Sequence, residues 1–410
     1  MRGGTAAILS LTAAGTAFSW LGLMEGCGSS SSAGPPDAQA DVDIGETIAL
    51  CPPSTPLSCN GQCVAQDSTH CASCTDRCAA NVACKFGQCL CTNGTATCHG
   101  ACVDTKTDGQ NCGTCSHDCG GASCSEGICA PVQLAAANAP WGIATDGQRV
   151  FFTEQGDAGA VRGVLVDGGA PVTVAAAVQP RDIALFDGGV FWTDETAAGW
   201  EVHGAREDGS AAAKLYTGNG VSEGLDVLPS GQMRWIENDA DGTHTIWSGY
   251  VTGAVATLSD SMGAGTLEAI ASTETTSYVS GGGGIFRCDV SFACKFLATV
   301  GNAGQMALSQ GVLYVTTGGV PGIIAIVSPS TGDVFTLIGN LGDPYGVAVD
   351  LTAAYVANRA SGTVTKVGLS PIVPSVVAAA QSVPTHVALD DTFVYWTTHG
   401  APGGVMRAYK

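Results

Sequence analysis

The stretch Val383-Pro384-Thr385-His386-Val387-Ala388-Leu389-Asp390-Asp391-Thr392-Phe393-Val394-Tyr395-Trp396-Thr397 decides the fold. An apolar strand bearing Val387 and Leu389 runs into a polar turn at Asp390-Asp391. A second strand follows with Val394, Tyr395 and Trp396, the β-branched and aromatic composition that suits a pleated, buried surface.

Six copies of the same phrase precede it. They are Pro140-Trp141-Gly142-Ile143-Ala144 with Val150-Phe151-Phe152-Thr153, Pro180-Arg181-Asp182-Ile183-Ala184 with Val190-Phe191-Trp192-Thr193, and Glu223-Gly224-Leu225 with Arg234-Trp235-Ile236. Leu267-Glu268-Ala269-Ile270-Ala271 with Ser277-Tyr278-Val279, Gln305-Met306-Ala307 with Leu313-Tyr314-Val315, and Pro344-Tyr345-Gly346-Val347-Ala348 with Ala354-Tyr355-Val356 complete the set. The starts are spaced by about 40 residues, the length of one four-stranded propeller blade. A third strand follows a Gly-rich turn, as in Gly362-Thr363-Val364-Thr365-Lys366-Val367, and a fourth precedes the next copy, as in Val172-Thr173-Val174-Ala175. The seventh copy ends at Lys410 after its third strand. The similar stretch Ala130-Pro131-Val132-Gln133-Leu134-Ala135-Ala136-Ala137 is the expected fourth strand, because closing a ring from the opposite terminus removes a free sheet edge. The predicted fold class is therefore all-β: a seven-bladed β-propeller of four-stranded blades over 130–410, closed by a strand at about 131–139, behind a small disulfide-rich module.

Composition agrees. In 410 residues there are 57 glycines and only 13% charged residues, which fits many short strands joined by tight turns. The net charge of −20 repels phosphate backbones and anionic headgroups, so nucleic acid is excluded as a natural partner. Nineteen cysteines fall unevenly: Cys27 alone, sixteen between Cys51 and Cys129, and Cys288 with Cys294, which flank a five-residue turn and are expected to bridge one hairpin. Dense cysteine behind an apolar N-terminus indicates an oxidising compartment.

Residues 1–26 carry one cation, Arg2, and a mostly apolar run from Thr5 to Met24, ending at Gly26-Cys27. This resembles a bacterial lipoprotein signal peptide, which implies lipidation at Cys27. A plain secretory signal and an uncleaved anchor remain open, and each reading exports the rest of the chain. Membrane contact is expected only through that N-terminal lipid or anchor. Residues 27–50, rich in Ser, Pro, Ala and Asp, have no apolar period and read as a flexible tether.

Residues 51–129 contain one cysteine pattern twice: Cys59, Cys63, Cys71, Cys74, Cys78, Cys84, Cys89 and Cys98, Cys102, Cys112, Cys115, Cys119, Cys124, Cys129. With Cys51 and Cys91 the total allows eight bridges. The alternative is zinc, since Cys71-Ala-Ser-Cys74 and Cys112-Gly-Thr-Cys115 have ligand spacing with His70, His99 and His117 nearby. The run Cys102-Val-Asp-Thr-Lys-Thr-Asp-Gly-Gln-Asn-Cys112-Gly-Thr-Cys115 resembles the repeat of the stigma-specific-protein family, which implies a disulfide-stapled extracellular module with no activity attached. The blade phrase, with Phe191-Trp192-Thr193-Asp194 and Tyr395-Trp396-Thr397-Thr398, resembles the YWTD and NHL-type propeller families. That resemblance implies the fold and leaves function open.

In a propeller the residues just before the innermost strand of each blade stand at the mouth of the central channel. They are Trp141, Arg181, Asp182, Glu223, Glu268, Gln305, Tyr345 and His386. Acids, an arginine, a histidine and two aromatics converging on a concavity make a candidate polar pocket, against the alternative of channel polars solvated by ordered water. The acids Glu154, Asp194 and Glu237 recur at one place in successive blades, which favours a turn-stabilising role over catalysis. Asn238-Asp239-Ala240-Asp241-Gly242 is oxygen-rich like a calcium loop but lacks EF-hand spacing, and reads as a polar hairpin. No nucleophile elbow, zinc-protease helix or phosphate loop is present, so no catalytic residue is assigned. The expectation is a monomeric, exported envelope protein, lipid-anchored or else secreted, whose propeller binds a protein, glycan or small ligand without a cofactor. The alternative is a lyase or lactonase of the virginiamycin-B-lyase or gluconolactonase type, with a divalent metal in the channel.

Overall fold

The structure is a computed structural model that describes residues 51–410, apart from 61, 69, 72, 75–77, 79–81, 86–87, 92–93, 99–100, 157, 254–256, 262–264 and 290–292. The signal peptide, Cys27 and the tether lie outside the described residues.

Seven four-stranded antiparallel sheets follow one another, the first six with their strands hydrogen-bonded in chain order. Their innermost strands are Pro140–Thr145, Pro180–Phe186, Val221–Val227, Leu267–Ser272, Ala303–Ser309, Pro344–Val349 and Pro384–Leu389, and we number the blades 1 to 7 in that order. Blade 7 continues with Phe393–Thr398 and Gly404–Tyr409, and its outermost strand is Val132–Ala136. The pairing of Gly404 with Ala136 and of Arg407 with Val132 closes the ring as the sequence predicts. Among the described residues there is no helix long and apolar enough to cross a membrane.

The second strand of a blade is buried on both faces by its neighbours, and in blades 1, 2, 5, 6 and 7 it accordingly contains a run of consecutive apolar residues. In blade 7, Val394, Tyr395 and Trp396 are fully buried. Tyr395 packs among Leu134, Val150 and Phe152 towards blade 1, whereas Val394 and Trp396 pack among Tyr355 and Val364 towards blade 6. Each such side chain contributes about 1.5–3 kcal/mol by burial. The turns that enter these strands reuse one device. Asp390 Oδ1 accepts hydrogen bonds from the Thr392 and Phe393 amides, both at 2.7 Å, and Asp146 and Asp350 do the same in blades 1 and 6.

The recurring acids also do what their recurrence implies. Glu154 Oε1 accepts from the Asn138 amide at 2.6 Å, Asp194 Oδ1 from Gln179 at 2.7 Å, and Glu237 Oε1 from Gly220 at 2.9 Å, in each case tying down the segment that leads into the innermost strand. The oxygen-rich loop at 238–242 is a hairpin held by its own Thr243, which donates to Asp239 and Asp241.

In the cysteine-rich module, bridges join Cys51–Cys63, Cys59–Cys74, Cys71–Cys84 and Cys78–Cys89, then Cys91–Cys102, Cys98–Cys115, Cys112–Cys124 and Cys119–Cys129. Cys51 and Cys91 thus lead their own copies, and the two copies share one connectivity with no bridge between them. The sulfur clusters Cys71/Cys78/Cys89 and Cys112/Cys119/Cys129 have near-ligand spacing, but every thiol in them is consumed in a bridge, so zinc has no thiolate to bind. Cys288 and Cys294 are bridged across one hairpin, as their spacing predicts. The second copy sits against the seam of the ring, with the His117 ring 6.3 Å from that of Tyr409 at the end of blade 7. A Cβ at Gly120 would press on the Tyr409 ring, so any larger residue there must displace it.

Candidate functional site

The channel mouth is built from a β-bulge repeated in every blade. Pairing between the first and second strands slips at Pro140/Ile143, Pro180/Ile183, Glu223/Leu225, Leu267/Ala269, Ala303/Met306, Pro344/Val347 and Pro384/Val387. A bulge re-aims side chains and is common beside functional sites. The slip leaves two special positions per blade. The first is occupied by Trp141, Arg181, Glu223, Glu268, Gly304, Tyr345 and Thr385, and the second by Gly142, Asp182, Gly224, Ala269, Gln305, Gly346 and His386. All eight residues expected at the mouth from the sequence are at these positions.

The threonine of the aromatic-Trp-Thr phrase holds the bulge in place in blades 1, 2 and 7. Thr153 Oγ1 accepts from the Gly142 amide at 2.8 Å, Thr193 Oγ1 from Asp182 at 3.2 Å, and Thr397 Oγ1 from His386 at 3.2 Å. The same hydroxyl donates across to the first-position carbonyl of the next blade: Thr153 to Arg181 at 2.7 Å, Thr316 to Tyr345 at 2.8 Å, and Thr397 to Trp141 at 2.8 Å. Ser280 does likewise to Gly304 at 2.6 Å. At Gly142 a Cβ would press on the Arg181 carbonyl, so this junction requires glycine.

The mouth has two unlike walls. On blades 2 and 3, Arg181 Nη1 donates to Glu223 Oε1 at 2.7 Å and its Nε to Glu195 Oε2 at 2.9 Å, while Asp182 Oδ2 accepts from the Gly224 amide at 2.7 Å. On blades 6, 7 and 1 the rings of Trp141, Tyr345 and His386 touch pairwise, with centroids 5.8, 5.3 and 5.2 Å apart, and His399 meets Trp141 edge-on at 5.1 Å. Such pairs each add about 0.5–1.5 kcal/mol beyond their area. His386 Nε2 lies 4.0 Å from Asp182 Oδ1, where the two walls meet. Arg359 covers the outer side of Tyr345 with its guanidinium carbon 4.3 Å from the ring centre, and its Nε donates to Asp343 at 2.9 Å.

This crowding shifts protonation. Burial, reinforced by the Asp182 charge, pushes the Glu223 carboxyl up to about 8 in spite of Arg181 beside it, whose charge is shared with Glu195. Burial also raises Glu268, with Arg359 opposing, and raises Tyr345. His386 is held below the ordinary histidine range by burial, with Asp182 pulling the other way. The mouth therefore combines a Glu223 carboxyl raised above the ordinary carboxylate range with a histidine held below its own. Its acids and His386 do not bring three ligand atoms within 4.8 Å of one another, so there is no ready-made donor set for a channel metal among the described residues.

Sequence reasoning missed Glu195, Arg359 and His399. Each lies one residue beyond the end-of-strand position that carries Asp194, Asn358 and Thr398, so a second periodic position marks them. Gln305, by contrast, turns aside: its Nε2 donates to the Glu268 carbonyl at 3.3 Å.

No protein-family model and no curated protein matches the chain. Among solved structures it is similar to streptogramin B lyase, with 10% identity over 68% of this chain and 96% of that one and a TM-score of 0.56. It is also similar to a computationally designed protein, Ika8 (12%, 68% and 99%, 0.48), and to a PQQ-bound aldose sugar dehydrogenase from Streptomyces coelicolor (12%, 68% and 96%, 0.43). At that identity the first likeness shows the fold alone, and the other two, below 0.5, carry no argument.

Proposed function

We propose that the propeller is the ligand-binding module of an exported envelope protein, anchored by lipid at Cys27 and acting as a monomer. The ligand occupies the channel mouth. The observation that carries this reading is the meeting of an aromatic wall, Trp141, Tyr345 and His386, with a wall of partly buried carboxylates at one concavity. Export is supported by the cysteine bridges of the module, which need an oxidising compartment.

The test is a thermal-shift screen of amino acids, sugars, organic cations and carboxylates on the full chain. The expected result is one class that raises the Tm of the wild type and leaves Trp141→Ala unmoved. Ligands that stabilise both proteins alike would place binding elsewhere.

A second reading, a proton-transfer enzyme such as a lyase, is favoured by one observation: the buried Glu223 carboxyl, raised by burial and by the Asp182 charge, shares the mouth with the His386 imidazole, whose Nε2 lies 4.0 Å from Asp182. In that case Glu223→Gln removes turnover of the bound class while its affinity stays within a few-fold. A pure binding module shows no turnover to lose.

A further inference from the structure

The ring of first-position side chains has one gap. Blade 5 carries Gly304 where blades 4 and 6 carry Glu268 and Tyr345. The missing side chain opens a cavity of about 260 Å³ lined by Glu268, Asn302, Gly304, Gly318, Tyr345 and Arg359.

The charges in this cavity differ from the rest of the mouth. Glu195 and Glu223 are paired with Arg181, Asp182 caps the Gly224 amide, and Asp343 is paired with Arg359. Glu268 has no hydrogen bond or ion pair to its carboxylate among the described residues. A half-buried carboxylate without a partner is a costly arrangement that a cation relieves. Across the same cavity, Arg359 spends only its Nε on Asp343, leaving the terminal guanidinium nitrogens able to take a bidentate carboxylate. Glu268 and Arg359 do not pair with each other. One cavity thus holds an acceptor for an ammonium and a donor fork for a carboxylate that do not pair with each other, and the Tyr345 ring, on which Arg359 stacks, lines it as an apolar wall.

We propose that this cavity binds a small zwitterion, an α-amino acid, with its ammonium on Glu268 and its carboxylate on Arg359. The inference rests on the reading of the mouth as a ligand site and names the ligand class. The size agrees, since a cavity of about 260 Å³ falls just below the roughly 300–1,000 Å³ of pockets that take drug-sized ligands, as suits a smaller solute.

Calorimetric titration of the full chain with L-alanine, L-alaninamide, N-acetyl-L-alanine and glucose tests it. L-Alanine is expected to bind at about 1 mM or tighter. Blocking either end of the ligand should weaken binding at least tenfold, as should Glu268→Gln. Gly304→Leu should abolish it by filling the cavity. A Cβ at Gly304 makes only ordinary contacts, so this variant is expected to fold, as checked by its melting curve. L-Alaninamide binding as tightly as L-alanine would overturn the zwitterion in favour of a plain cation site. L-Alanine binding that survives Gly304→Leu would overturn the location. Binding of glucose but not L-alanine, lost in Trp141→Ala, would overturn the ligand class and leave the mouth intact as a ligand site. If L-alanine does not bind and no solute of the screen depends on Trp141, both readings fail.

Discussion

The two folded regions are held by different physics. Among the described residues 51–129, those that are buried are five cysteines and Val82, so the interior of the module is made largely of sulfur. Its strands are two or three residues long. Such a segment cannot offset its chain entropy by burial and depends on bridges, each contributing about 2–4 kcal/mol by constraining the unfolded chain. The propeller holds one bridge, Cys288–Cys294, and stands on fully buried Trp192, Trp235, Tyr355 and Trp396 between blades. Small repeats become stable by cross-linking, whereas large ones do so by covering both faces of every sheet.

The largest expected effect breaks this contrast by chemistry. Reduction under native conditions should abolish amide-exchange protection throughout 51–129 while the second strands of the blades, such as Phe393–Thr398, stay protected. Simultaneous loss in both regions would mean that the module carries the ring, through its contact with Tyr409.

An intermediate effect sharpens the account of the ring. Thr397→Val keeps the shape of the side chain but strips the His386 amide of its acceptor and the Trp141 carbonyl of its donor at the closing junction. Denaturant unfolding should show a loss of about 1–3 kcal/mol. A change near zero would remove the threonine bridge from the list of forces that close the propeller.

The smallest effect concerns the mouth. The Glu223 carboxyl is raised in the folded protein, so its contribution to stability is present at acid pH and is lost as pH rises from its ordinary value towards about 8. Glu223→Gln does not titrate. The Tm of the wild type should therefore fall relative to the variant between about pH 5 and 9, by about 3 °C. Parallel curves would show that Arg181 keeps Glu223 ionised throughout.

Much of this was legible in the chain. A phrase recurring at blade spacing gave the ring, and the strand Val132–Ala136 was readable as its missing piece because Lys410 follows the third strand of blade 7. The eight candidate mouth residues were expected just before each innermost strand, whereas they lie within its first residues, at a bulge that the sequence pattern does not mark. The two-wall division was not legible, since it depends on which blades face one another across the channel. Arg359 was overlooked because it sits in a loop after the second strand and reaches the mouth only by stacking on Tyr345 of the preceding strand pair. The cysteine connectivity was also beyond reach, because spacing alone leaves many pairings open.

Period, alternation and turn chemistry are local properties, so the residues themselves settled the blade count and the order of strands within a blade, and they marked Val132–Ala136 as a strand of the outermost kind. Contacts between residues far apart in the chain belong to the tertiary structure. The contact of Trp141 with His386, the sharing of Arg181 between Glu195 and Glu223, and the gap that Gly304 opens between Glu268 and Tyr345 each arise from blades brought side by side. Their energies depend on burial and distance, which no single blade possesses before the ring closes.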